Sequence, residues 1–111
     1  MTKFFISPGD PAGIGPEVTL KALSKNKKIQ NNFILAGDKN LYQDLIKANN
    51  LDLNLIEEDS DEEGVIFKHF PLKNNVSIGN PDVGNANYII DILSHGALGC
   101  LKKEFKGLIT G

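Results

Sequence analysis

The 111-residue chain contains one cysteine, Cys100, so no internal disulfide can form, which fits a reducing, cytoplasmic setting. No apolar run approaches the roughly 20 residues that a membrane-crossing helix requires. The first residues, Met1-Thr2-Lys3, run straight into a short apolar strand and lack the layout of a signal peptide. A strongly basic surface is also missing: the net charge is −2, which argues against non-specific nucleic-acid binding. The charge is unevenly spread. Glu57, Glu58, Asp59, Asp61, Glu62 and Glu63 hold six of the fourteen acidic residues, leaving 12 basic against 8 acidic elsewhere. Internal repeats and low-complexity segments are absent. The length fits one domain, and 41% hydrophobic residues suffice for a core.

What is present is concentrated near the N-terminus. Ser7-Pro8-Gly9-Asp10-Pro11-Ala12-Gly13-Ile14-Gly15-Pro16-Glu17 follows the apolar run Phe4-Phe5-Ile6 and leads into a helical pattern. The order reads as strand, glycine-rich turn, helix. Glycines let the backbone take positive φ or let a ligand come close to the main chain, and Gly13 is the position expected to need one or the other. Pro16 suits the first helical position. Such a loop offers backbone N–H groups at a helix N-terminus, which favours anions. The Walker A template fails because Ile14 stands where its second glycine belongs. The dinucleotide fingerprint, started at Gly13 and Gly15, meets Val18 in place of its third glycine. Glu17 adds a negative charge at the helix start. A plain strand-to-helix turn without ligand is the competing reading.

Strands are expected at Lys3–Ser7, Asn32–Ala36, Leu53–Glu57, Val65–Phe70 and Gly107–Thr110, and helices at Pro16–Lys25, Lys39–Asn49 and Asn85–Phe105. Their alternation predicts a single α/β domain: a largely parallel sheet with crossover helices. Asp38 is a candidate N-cap for the second helix. In the third helix Ala86, Ile89, Ile90, Leu93, Ala97, Leu98 and Leu101 recur at three- and four-residue steps and form the expected core-facing stripe. Gly96 and Gly99 in that helix imply close packing or a bend.

Other residues carry weaker chemical signals. Asp59, Asp61, Glu63 and Gly64 match the start of an EF-hand loop, but the required glutamate is replaced by Phe70, so a solvated loop is expected. His69 shares a strand face with Val65 and Phe67 and reads as a partly buried structural residue. His95 reads as a surface residue, and Cys100 as a small packing residue at the border of the stripe. Asp10, held above the C-terminal end of a strand, either accepts from a ligand hydroxyl or caps its own loop. Thr110 and Gly111 end another strand at the same edge if the sheet is parallel.

The run Ser7–Glu17 resembles the opening of the 4-hydroxythreonine-4-phosphate dehydrogenase family. Gly79-Asn80-Pro81-Asp82-Val83-Gly84-Asn85-Ala86 and Gly107-Leu108-Ile109-Thr110-Gly111 are similar to two later segments of the family. Pro11-Ala12 lengthens the shorter Gly-Asp-Gly-Ile-Gly-Pro-Glu form of the related isocitrate and isopropylmalate dehydrogenases. The resemblance implies their fold. It also implies an NAD-dependent oxidoreductase of vitamin B6 (pyridoxal phosphate) biosynthesis, active as a homodimer on a small phosphorylated substrate. In that chemistry a divalent metal polarises the hydroxyl and keto oxygens, hydride passes to the nicotinamide, and the β-keto acid decarboxylates. Asp10, Gly13 and Gly15 are the residues expected to meet cofactor or substrate, with Thr110 and Gly111 close to the substrate. No catalytic residue and no metal ligand of the family falls on this chain, and nothing is assigned to His69 or His95. The chain is therefore expected to be an N-terminal portion of a longer enzyme, inactive alone. The alternative is a small non-catalytic α/β nucleotide-binding or remnant module.

Overall fold

The computed structural model describes residues 3–73, 79–80 and 82–111; Pro81 of the second glycine segment lies outside them. Five strands form one sheet: β1 (Lys3–Ser7), β2 (Phe33–Gly37), β3 (Leu55–Ile56), β4 (Val65–His69) and β5 (Phe105–Thr110). Their order is β3-β4-β2-β1-β5 and every pairing is parallel. Three helices pack on the sheet: α1 (Gly15–Lys25), α2 (Lys39–Ala48) and α3 (Ala86–Leu101). A 3₁₀ turn, Lys27–Asn32, leads into β2, and another, Val83–Asn85, leads into α3.

Side chains alternate across the strands and build two cores. Ile6 and Leu35 face one side and pack with Leu20 and Leu23 of α1, Tyr42 of α2, Leu53 and Val65. Phe5, Ile34 and Ala36 face the other side and pack under Tyr88 and Ile92 of α3. Phe5, Leu20, Leu35 and Val65 are wholly excluded from solvent, each contributing on the order of 1.5–3 kcal/mol. The short β3 lies parallel beside β4, with the exposed acidic run looping between them.

The helices α2 and α3 stop by the same device. Asn50 and Lys103 take left-handed backbone, with φ of 52° and 62°. Beyond them the N–H of Leu51 donates to the Ile46 carbonyl, and that of Glu104 to the Gly99 carbonyl. These are Schellman closures, usually built on glycine. The non-glycine Lys103 explains why sequence periodicity carried α3 to Phe105, whereas the helix ends at Leu101 and Phe105 already starts β5.

The face of α3 that meets the sheet also differs from the expected stripe. Tyr88, Ile92, Gly96 and Gly99 are buried, while Ala86, Ile90, Ala97, Leu98 and Leu101 are exposed. The reason is steric. A Cβ at Gly96 would stand 2.7 Å from Leu108 Cδ1, and one at Gly99 would overlap the Phe105 ring. Glycines let the helix settle onto the aromatic floor, so the contact ridge is drawn by small residues that a hydrophobic count passes over.

Candidate functional site

The carboxyl ends of β1 and β5 lie side by side, with Ser7 in register with Thr110. Past that pair the two chains remain in main-chain contact: the Gly111 N–H donates to the Ser7 carbonyl at 2.9 Å. Gly9 has φ of 92°, and a Cβ there would stand 2.8 Å from the Gly111 oxygen. A Cβ on Gly15 would overlap the Pro8 carbonyl. Gly13, expected to need positive φ or a close approach, is not in the left-handed region; a Cβ there would stand 3.3 Å from the Asp10 carbonyl, a tight contact but a looser one than at Gly9 or Gly15. The strict glycine requirements of the loop therefore lie at Gly9 and Gly15.

Asp10 shapes the turn from within. Its Oδ1 accepts from the Ala12 N–H at 2.8 Å, and its carbonyl accepts from the Gly13 N–H at 3.0 Å. This is an Asx turn stacked on a backbone turn. Pro11, Ala12 and Pro16 are buried beneath it. The Ala12 carbonyl in turn accepts from the Gly79 N–H at 2.8 Å, which joins the second glycine segment to the first. Segments around residues 9–15, 79 and 110–111 thus converge at one edge of the sheet.

The start of α1 has no side-chain cap, so no side-chain acceptor takes its first main-chain N–H groups. Glu17, in its first turn, is held elsewhere: its carboxylate accepts from Lys21 Nζ at 3.2 Å and from Asn49 Nδ2 at 3.3 Å. Ile14, the residue before the helix, is 76% exposed.

A second polar cluster sits at the C-terminal end of β2. Asp38 caps α2 as expected, its Oδ1 accepting from the Leu41 N–H at 3.0 Å. Its Oδ2 accepts from the Leu72 N–H at 2.9 Å, and its own N–H donates to the Tyr88 hydroxyl at 2.8 Å. Burial pushes the Tyr88 phenol up to about 12; the N–H bond from Asp38 works against that shift and the Asp38 charge adds to it. Tyr42 is raised as well, by burial first and then by Tyr88. The sequence showed the Asp38 cap but not Tyr88, because the stripe assigned to α3 put Tyr88 on the wrong face.

His69 departs from its expected, partly buried setting, whereas His95 is exposed as expected. His69 is exposed, and its Nδ1 accepts from the Lys39 N–H at 3.0 Å, so it serves the first turn of α2. The His95 ring also packs against Phe5, Phe70 and Phe105, with centroids 5.4, 5.6 and 5.9 Å away. Among the described residues, no three His, Cys, Asp or Glu side chains are grouped to hold a metal ion. No described helix is long and apolar enough to cross a membrane.

No protein-family profile matches the chain. Curated proteins do. The 4-hydroxythreonine-4-phosphate dehydrogenase of Vibrio parahaemolyticus is 29% identical over 116 residues, covering 98% of this chain. That of an Enterobacter species is 30% identical over 113 residues, covering 96%. The chain spans about a third of the length of these relatives, 34% in each case. Among solved structures, the enzyme of the same name from Klebsiella pneumoniae superposes with a TM-score of 0.85 at 17% identity, covering 100% of this chain and 37% of that one. The one from Burkholderia phymatum gives 0.83 at 18% identity, covering 99% and 36%. The fold is thus the isocitrate dehydrogenase-like α/β fold that the resemblance implied.

Proposed function

We propose, for a chain homologous to the 4-hydroxythreonine-4-phosphate dehydrogenases over nearly its whole length, that it forms one α/β domain of such an oxidoreductase. The domain supplies part of the wall of the ligand cleft. The observation that carries this reading is the meeting of the Gly9–Gly15 loop with Thr110-Gly111 at the carboxyl ends of two adjacent parallel strands, the usual ligand position in open α/β sheets. The uncapped start of α1 suits a phosphate or pyrophosphate group. With Asp10 engaged by Ala12, its role is to hold the loop open, while Gly13 and Gly15 present main chain to the cofactor or substrate.

The described residues fit an anion at this edge but bring together no metal-ligand set. In the assembled enzyme NAD would accept the hydride and the divalent metal would polarise the substrate oxygens. This chain's part is to bind and orient. Its proper setting is a soluble, cytoplasmic homodimer acting on a small phosphorylated hydroxy-amino acid. The pure 111-residue protein, given NAD, a divalent metal and 4-phosphohydroxythreonine, is expected to form no NADH. The same chain joined to the unmatched two thirds of a relative is expected to do so. Turnover by the 111 residues alone, or none by a folded fusion, would sink this reading.

A further inference from the structure

The strand β4 leaves the sheet at a corner built on β2. His69, its last residue, stands in register with Gly37, the last residue of β2. Two bonds from the departing chain fix the corner. The Phe70 N–H donates to the Gly37 carbonyl at 2.8 Å, and the Leu72 N–H to Asp38 Oδ2 at 2.9 Å. A third bond runs the other way: the N–H of Lys39, the first residue of α2, donates to His69 Nδ1 at 3.0 Å. The first N–H groups of a helix have no partner within it. Here two of them are met from outside the helix, that of Leu41 by Asp38 and that of Lys39 by the imidazole.

Of these acceptors only an imidazole titrates between about pH 5 and 8; carboxylates ordinarily stay charged until well below that range. An Nδ1 that accepts from an N–H carries no proton, so the proton of the neutral ring sits on Nε2. Protonation makes both ring nitrogens donors. It then sets one N–H against another and brings a positive charge to the positive end of α2. The charges on the surrounding elements are Lys68 on β4, Lys39 and Asp38 at the head of α2, Lys73 beyond the corner, and Glu57, Glu58 and Asp59 after β3. Asp38 has both oxygens engaged by N–H groups. Among the described residues, none of these carboxylates forms an ion pair with His69. The buried phenols of Tyr42 and Tyr88 keep their protons throughout. His69 itself is exposed, so a proton reaches the ring without unfolding.

We propose that His69 is an acid-released latch between β4 and α2. As the neutral ring it ties the exit of the strand to the first turn of the helix; once protonated it lets that turn go. The release is local, because Asp38 still holds Leu41 and Leu72, and Gly37 still holds Phe70. It falls at the carboxyl edge of the sheet, where β2 lies between β4 and the strand β1 that carries the glycine loop. Acidification therefore loosens the head of α2 at the same edge as the candidate cleft. The latch does not depend on the activity proposed above.

The test is an NMR titration of the isotope-labelled chain from about pH 8 to about pH 5. At the alkaline end the His69 ring is expected as the Nε2–H tautomer, read from its nitrogen shifts. On acidification the Lys39 amide should shift with the same midpoint as the His69 ring. Its protection from solvent exchange should fall about three- to tenfold, the worth of one hydrogen bond. The amides of Leu41 and Phe70 should keep their protection. His69→Gln carries no titrating nitrogen, so its Lys39 amide should be flat across the range, with His95 still titrating as the internal control. An Nδ1–H tautomer at the alkaline end, a Lys39 amide indifferent to pH, or a response that survives in His69→Gln would each overturn the proposal. The tautomer is read on the parent chain and needs no variant to fold.

Discussion

Gly9 and Gly111 meet main chain to main chain: with Gly9 at φ of 92°, a Cβ on it would stand 2.8 Å from the Gly111 oxygen. The glycine-rich turn and the end of β5 are therefore one packed unit, and the glycines in it are unequal. Alanine at Gly15 would overlap the Pro8 carbonyl, a backbone atom that cannot swing aside. Alanine at Gly9 would be forced into left-handed backbone, at a cost of about 1–3 kcal/mol. Alanine at Gly13 meets only the Asp10 carbonyl at 3.3 Å. Urea denaturation should rank the losses Gly15→Ala and Gly9→Ala well above Gly13→Ala. An equal or larger loss at Gly13 would show that the turn is held differently.

Asp10 is expected to act as the brace of its own loop. Asp10→Ala removes the acceptor for the Ala12 N–H and should cost about 0.5–2 kcal/mol, the usual range for a lost cap. Asp10→Asn keeps an oxygen in the same place and should cost a few tenths of a kcal/mol. In a fusion carrying the complementary segment, a ligand contact would show as weakened cofactor or substrate affinity in Asp10→Asn at unchanged melting temperature. That outcome would move Asp10 from brace to binding group.

Much of this architecture was legible in advance, for identifiable reasons. The apolar runs Phe4–Ile6 and Phe33–Leu35 could only be buried strands, and the parallel sheet followed from the helices between them. The convergence of Thr110-Gly111 with the glycine loop followed from parallel strands ending at one edge. The contact face of α3 was not legible. Its ridge uses Gly96 and Gly99, which hydrophobic periodicity ignores, while Ile90 and Leu101 mark a flank that nothing described covers. The end of that helix was hidden because Lys103 occupies a position where glycine is the usual sign. The Tyr88–Asp38 bond joins residues fifty positions apart, and no local pattern announces such a pair.

The acidic run between β3 and β4 should be dispensable for folding. Its carboxylates are exposed, and such surface substitutions usually fall within about 0.5 kcal/mol. Neutralising Asp59, Asp61 and Glu63 to Asn, Asn and Gln should leave the denaturation midpoint nearly unchanged. A calcium-dependent rise in melting temperature that this triple variant loses would instead establish a metal site in the loop.

Tyr88 gives the fold a dependence on alkaline pH whose sign is fixed. A free phenol ionises near pH 10, whereas burial holds that of Tyr88 near 12 in the folded chain. Between these values the folded state keeps a proton that the unfolded state has released, so stability falls as pH rises through that window. Below about pH 9 the contribution is complete and flat. Two units correspond to about 2–3 kcal/mol. Tyr42, raised in the same direction, adds to the loss, so the comparison must be made against the parent with Tyr42 in place. Tyr88→Phe leaves the Asp38 N–H without its acceptor and should lower stability at pH 7 by about 0.5–1.5 kcal/mol. The same variant should lose less than the parent between pH 10 and 12. Denaturant titrations at pH 7, 10 and 11.5 measure both effects. Parallel pH profiles for parent and variant would mean that the Tyr88 hydroxyl is solvated in the native state, and the buried bridge from α3 to the cap of α2 would then be absent.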